Sequence, residues 1–144
     1  MIKIKIAAIP PSNNQSQGKG GVKRAIGYSQ TKKLWNEWIW IMRSKLKQRG
    51  ELDGISLPYE KATVIIKYNF ADNRRRDPDN YSGKMILDGL KNNGFIVDDS
   101  FKEIDIFPMA TFGNEDNEYT EITILEGHRI REIVELMRGG DIHE

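Results

Sequence analysis

Residues Ile2, Ile4, Ile6 and Ala8 alternate with Lys3, Lys5 and Ala7, the two-residue period of a half-buried strand. Pro10-Pro11-Ser12-Asn13-Asn14 breaks it. The polar, glycine-rich and basic residues 12–24 predict a mobile loop. Ser29 or Thr31 can cap a helix running to about Arg49. On it Leu34, Trp38, Ile41 and Lys45 share one stripe, and Trp35, Met42 and Leu46 share the next. Trp35 and Trp38 are expected in the core, whereas Trp40 points away, toward solvent or a second subunit. Gly50 ends this helix, and a turn-rich passage leads to Pro58. The clearest strand follows: Ala62, Val64, Ile66, Tyr68 and Phe70 alternate with Thr63, Ile65, Lys67 and Asn69. A second helix is predicted over about 79–92, with Ile86, Leu87 and Leu90 inward and Asn92-Asn93-Gly94 as its end. Ile104 and Ile106 mark a third strand, on which Pro108 is tolerated only at an edge or a bulge. Ile122 and Ile124 mark a fourth, reached through an acidic Gly-Asn turn. From Gly127 onward the chain reads as a short helix with Ile130, Ile133, Val134 and Met137 apolar.

Together these elements predict a mixed α/β (α+β) domain. Its core is a small four-stranded mixed sheet with two main helices packed on one face, plus a short C-terminal helix. The last two strands are expected to form an antiparallel hairpin. Residues 1–126 form the domain, and residues 127–144 form a C-terminal helical extension; neither a repeat nor a linker interrupts them.

Composition narrows the chemistry. The chain has 144 residues, one ordinary domain, and no cysteine, so disulfides and thiolate metal sites are excluded. Its only histidines are His128 and His143. Any metal would therefore sit among oxygens, which suits magnesium or manganese. No apolar run approaches a membrane span, and the charged first strand is no signal peptide, so the expected location is cytoplasmic. Lys plus Arg number 22 against 21 for Asp plus Glu, so bulk charge gives no argument for nucleic acid. The distribution does. Positive charge gathers at Lys19, Lys23, Arg24, Lys32, Lys33 and Arg74 to Arg76. Negative charge gathers at Asp77, Asp79, Asp98, Asp99 and along Glu115 to Glu121.

Residues 73–100 concentrate this pattern. Within Asp77-Pro78-Asp79-Asn80, Asp77 suits an N-cap, Pro78 the first helical position, and Asp79 the positive end of the helix. Capping explains neither Arg74, Arg75 and Arg76 in front nor Asp98-Asp99 behind. A return through Phe95-Ile96-Val97, antiparallel to the helix, is expected to bring Asp98 and Asp99 back toward its start. Gathered carboxylates repel one another, and a hard divalent cation removes that difficulty. The arginines would then face a phosphate-bearing substrate. On a continuous helix Lys84 shares a face with Asn80 and Asp77. Its plain role there is an ion pair with Asp88; its functional role is a cation beside the metal. Gly83 leaves room for close backbone approach.

The quoted pieces resemble the RusA-type Holliday-junction resolvases. They are Pro10 to Asn14 (PPSNN), Arg74 to Asn80 (RRRDPDN), Lys84 with Asp88 to Leu90, and Gly94 to Asp99 (GFIVDD), in the family's order. The resemblance implies that residues 1–126 are an endonuclease domain. It implies a homodimer that binds a four-way DNA junction and nicks one strand per subunit, with Mg2+ as cofactor and Mn2+ able to substitute. Asp77, Asp79 and Asp99 take the family's catalytic and metal-binding positions, with Asp98 as a further ligand. Lys84 takes the helix-lysine position, although Gly83 stands at the strictly counted spacing. Arg74, Arg75, Arg76, Asn80, Asn13, Asn14, Lys19, Lys23 and Arg24 are the expected DNA contacts. No small-molecule cofactor and no membrane partner are expected. Three other readings stand beside this one: a metal-dependent nuclease for other branched DNA, a non-catalytic DNA-binding module, and a small-molecule phosphohydrolase.

Overall fold

The computed structural model describes residues 1–13, 23–47, 55–113 and 117–140. Along the chain these form β1 (Ile2–Ile6), α1 (Lys23–Leu46), β2 (Ala62–Asn69), a 3-10 turn (Pro78–Tyr81), α2 (Lys84–Asn92), β3 (Ile104–Thr111), β4 (Tyr119–Glu126) and α3 (Arg129–Gly140). The mixed four-stranded sheet, the two main helices and the short C-terminal helix are those the periodicity predicts. None of the helices described is long and apolar enough to cross a membrane.

The strand order is β1-β4-β2-β3. β1 and β4 pair antiparallel, as do β4 and β2, while β2 and β3 run parallel. The expected β3–β4 hairpin therefore does not form, because β2 lies between the two strands. The reason is visible in the residues. Pro108 has no N–H to give a second neighbour, so β3 belongs at an edge. β2 is apolar enough to be buried along most of its length and takes the centre. Parallel pairing of β2 with β3 then requires a crossover, and α2 supplies it.

Alternation divides the sheet into two unlike faces. Ile2, Ile6, Val64, Ile66, Ile104, Ile122 and Ile124 point to one face, where Trp38, Met42 and Leu46 of α1 and Ile86, Leu87 and Leu90 of α2 complete the core. Thr63 and Asp105 point to the other face, where the start of α3 docks. Trp40 is 72% exposed, in keeping with its predicted outward direction, but Ile41 is also exposed. The buried stripe of α1 is Trp38, Met42 and Leu46, so Ile41 and Lys45 lie off it. The side chains of Leu34 and Trp35 lie outside the described residues.

α1 begins at Lys23, earlier than the predicted cap at Ser29 or Thr31, so Lys23 and Arg24 belong to the helix rather than to a loop. The predicted second helix is two pieces. Gly83 adopts φ 82°, which breaks the helix between the 3-10 turn and α2. A Cβ at this position would stand 2.4 Å from Ile66 Cδ1 and 3.1 Å from Ile106 Cδ1, so the backbone here lies directly on the sheet. α2 ends as expected: Gly94 has φ 75°, and the Asn93 side chain donates to the Gly89 carbonyl.

Candidate functional site

The charged run begins where β2 stops. Asp72 organises it. Its carboxylate accepts from the Arg74 backbone N–H (2.9 Å), from Arg74 Nε (3.1 Å) and from Arg76 Nη1 (2.8 Å). The Arg76 hydrogen bond, followed by that of the Arg74 amide, holds the Asp72 carboxyl well below the usual carboxylate range. Arg76 also lies over the Phe70 ring, 4.0 Å from its centroid, and Phe70 stacks on Phe112. Only 12% of the Arg76 side chain is accessible, against 79% for Arg74 and 90% for Arg75. The three arginines thus divide: Arg76 fastens the loop to the core, while Arg74 and Arg75 face solvent. Asp72 was not among the sequence candidates. The signal for it is its spacing, two and four residues ahead of Arg74 and Arg76.

Asp77 is extended (φ −96°, ψ 136°) and makes no side-chain cap bond, contrary to its expected role. Its carboxylate instead meets Arg75 Nε at 3.2 Å, while its carbonyl accepts from Asn80 N (3.0 Å) to open the 3-10 turn. Pro78 occupies the first helical position as expected, and Asp79 follows it in the first turn. Lys84 is the first residue of α2. The break at Gly83 removes the helical spacing that was to align Lys84 with Asp77 and Asn80.

Tertiary structure nevertheless gathers three of the candidates. Asn13 Nδ2 donates to the Asp79 carbonyl (2.6 Å) and to Ser82 Oγ (3.1 Å), tying together segments 66 and 69 residues apart. Asn13, Asn80 and Lys84 line one crevice with Pro10, Pro11 and Tyr68. The Pro-Pro-Ser-Asn segment, the Asp-Pro-Asp-Asn segment and the helix lysine therefore meet in space. Asn14 and Lys19 lie outside the described residues, as do the side chains of Lys23 and Arg24.

No family model matches this chain, and no curated protein matches it.

Asp98 and Asp99 lie elsewhere. Lys91 Nζ stands 2.9 Å from Asp98 Oδ1 and 3.8 Å from Asp99 Oδ1. Its hydrogen bond to Asp98 lowers that carboxyl, and the Lys91 ammonium is held above its usual range for the same reason. Asp88 is shifted the other way. Burial raises it, and the charge of Asp99 adds to the rise. Lys84 acts on Asp88 only as a nearby charge that opposes this rise.

The return segment explains the separation. Tyr59 N donates to the Phe95 carbonyl and Val97 N to the Tyr59 carbonyl, pinning residues 95–97 just ahead of the first residue of β2. β3 then starts beside that end, with Ile104 opposite Ala62. Asp77 and Asp79 follow the other end of β2. The expected return of Asp98 and Asp99 to the start of the helix therefore does not occur: α2 carries the chain back along the strand before they are reached. Among the described residues no three His, Cys, Asp or Glu side chains stand close enough to hold one metal ion. The set Asp77, Asp79, Asp98 and Asp99 does not fit a single ion within one chain. Asp77 and Asp79 alone offer accessible carboxylates of the kind magnesium takes together with substrate phosphates.

Proposed function

We propose that this chain is a structure-selective endodeoxyribonuclease acting on branched DNA, four-way junctions first among its substrates, as a homodimer. The observation that carries the reading is the meeting of Asn13, Asn80 and Lys84 at one crevice, where Asn13 also holds the Asp79 carbonyl, with exposed Arg74 and Arg75 close by. Cations and amides there suit the phosphodiester backbone, which supplies most of the affinity in DNA binding. Asp77 and Asp79 are the carboxylates on the spot. A divalent cation bound with the DNA would supply the polarised phosphoryl oxygen and the activated water. Lys84 and Asn80 orient the backbone phosphate, and Arg74 and Arg75 hold the flanking ones. Two copies about a two-fold axis suit a junction of near-two-fold symmetry.

The separation of Asp99 from Asp77 and Asp79 favours one alternative, a non-catalytic module that binds branched DNA. A single experiment separates the two readings. The protein is incubated with a synthetic four-way junction and magnesium, beside flap and duplex controls, and compared with Asp79→Asn. Wild type is expected to nick the junction, and Asp79→Asn to bind it as well while cleaving it at least about 100-fold more slowly. Equal cleavage by the variant removes the site, and binding without cleavage by wild type leaves the module.

A further inference from the structure

The first turn of α2 carries no cap. Gly83 has no side chain to serve as one, and no residue of that turn is acidic. Leu87 N donates to the Gly83 carbonyl (2.9 Å), the first rung of the helix. The N–H groups of Lys84, Met85 and Ile86 therefore have no carbonyl within α2 to meet. These three residues line the crevice shared by Asn13 and Asn80. The positive end of the helix dipole thus opens on that crevice. Lys84 adds an ammonium, and no acidic residue stands among the described residues that line it.

A second feature points into the same place. Tyr68, from β2, is 2% exposed, and its Oη has no hydrogen-bond partner among the described residues. Its ring is held against Phe70, stacked at 6.1 Å, and Tyr81, edge-on at 5.5 Å, so packing rather than a hydrogen bond sets its direction. Tyr68 lines the crevice too, and its Oη lies 3.8 Å from the point where a Cβ on Gly83 would stand. Burial holds the phenol above its usual range, so it remains a donor. Leaving such a donor buried and unpaired costs stability, and an acceptor entering the crevice removes that cost. The crevice has a volume of about 10 Å³, room for one water-sized oxygen and not for a whole phosphate.

We infer that this crevice seats one non-bridging oxygen of a phosphoryl group, with Tyr68 Oη, the first-turn amides of α2 and Lys84 as its donors. Backbone amides and dipole together make a helix N-terminus a phosphate site, and the buried hydroxyl gives this one a floor. The rest of the phosphoryl group stays outside, as the ester bonds of a DNA backbone require. In taking that backbone as the source of the phosphate, the inference rests on the nuclease reading, to which it adds Tyr68 and the helix end.

Tyr68→Phe removes the hydroxyl alone. The full chain and this variant are compared without divalent cations in two arms. One arm is thermal melting in chloride and in inorganic phosphate of equal ionic strength; the other is titration with a four-way junction. In chloride the variant is expected to melt at or above wild type, because no protein group loses a partner. Phosphate is expected to raise the melting temperature of wild type more than that of the variant. The junction dissociation constant is expected to rise at least about 10-fold in the variant, the loss of one hydrogen bond to a charged group. Weaker junction binding, with or without the lost phosphate response, supports the seat with a backbone phosphate in it. A lost phosphate response alone keeps the seat for free phosphate and overturns its link to DNA. A variant that melts clearly below wild type in chloride, or that matches it in both arms, overturns the seat. Cleavage is not read in either arm, so failure of the seat and failure of the nuclease reading are distinguishable.

Discussion

Arg76 illustrates how neighbours of one type come to do different work. Its guanidinium is spread over Phe70 and fixed by Asp72, so its charge is spent inside the loop. Arg74 and Arg75, paired with Asp72 and Asp77, hold theirs at the solvent-facing surface. Arg76→Ala is accordingly expected to lower stability by about 1 kcal/mol in a denaturant titration, through lost packing of its side chain on Phe70. Arg74→Ala/Arg75→Ala should leave stability within about 0.5 kcal/mol of wild type. It should instead weaken junction binding and flatten the slope of log affinity against log salt by roughly 2. Asp88 provides a pH signature at the same scale. Its carboxyl is raised in the fold, so the native state holds the proton more tightly than the unfolded chain. Its contribution to stability is present at low pH and is lost as pH rises through the folded value. Asp88→Asn should therefore melt higher than wild type at neutral pH, and the difference should vanish at about pH 3, where both states are protonated. A melting difference that stays constant between the two pH values sinks this assignment. The Arg-Arg-Arg cluster was plain in the sequence, but its division was not: which guanidinium finds an aromatic face depends on where Phe70 points.

At the scale of elements, period alone located the strands and most of the helices. It missed the break at Gly83, because a helical pattern continues across one residue of left-handed backbone. At φ 82° a side chain would be strained, and the Ile66 and Ile106 side chains crowd the position from the sheet. The hairpin expected between β3 and β4 failed for a similar reason. Sequence neighbours usually pair, but the apolar β2 took the place beside both, leaving β3 with Pro108 at the edge. α3 was legible as amphipathic, though nothing local showed that its polar stripe would be the anchored one. That anchor is Asp105, buried beneath Arg131. Asp105→Ala leaves the half-exposed Arg131 without its partner and should cost about 1–3 kcal/mol. Hydrogen exchange should show the amides of residues 129–140 losing protection while those of β2 and β4 keep theirs. Unchanged exchange in that segment means the clasp is not what holds α3.

At the scale of the whole molecule, the charged motifs separate into two groups. Asn13, Asp79, Asn80 and Lys84 converge across nearly half the chain. Asp98 and Asp99 stay with Lys91 near the opposite end of the β2–β3 pair. The sequence by itself determined the element types, the restriction of Pro108 to an edge or a bulge, and the residues that carry charge. These follow from side-chain period, from the missing proline N–H and from composition, all of which are local. Only the tertiary structure decided the strand order, the one arginine of three that packs against an aromatic ring, the separation of the aspartate groups and the outward face of α3. Each of these depends on which distant segments meet. Parallel pairing through a crossover leaves no mark in the period of either strand, yet it puts Asp77 and Asp99 at different ends of the sheet.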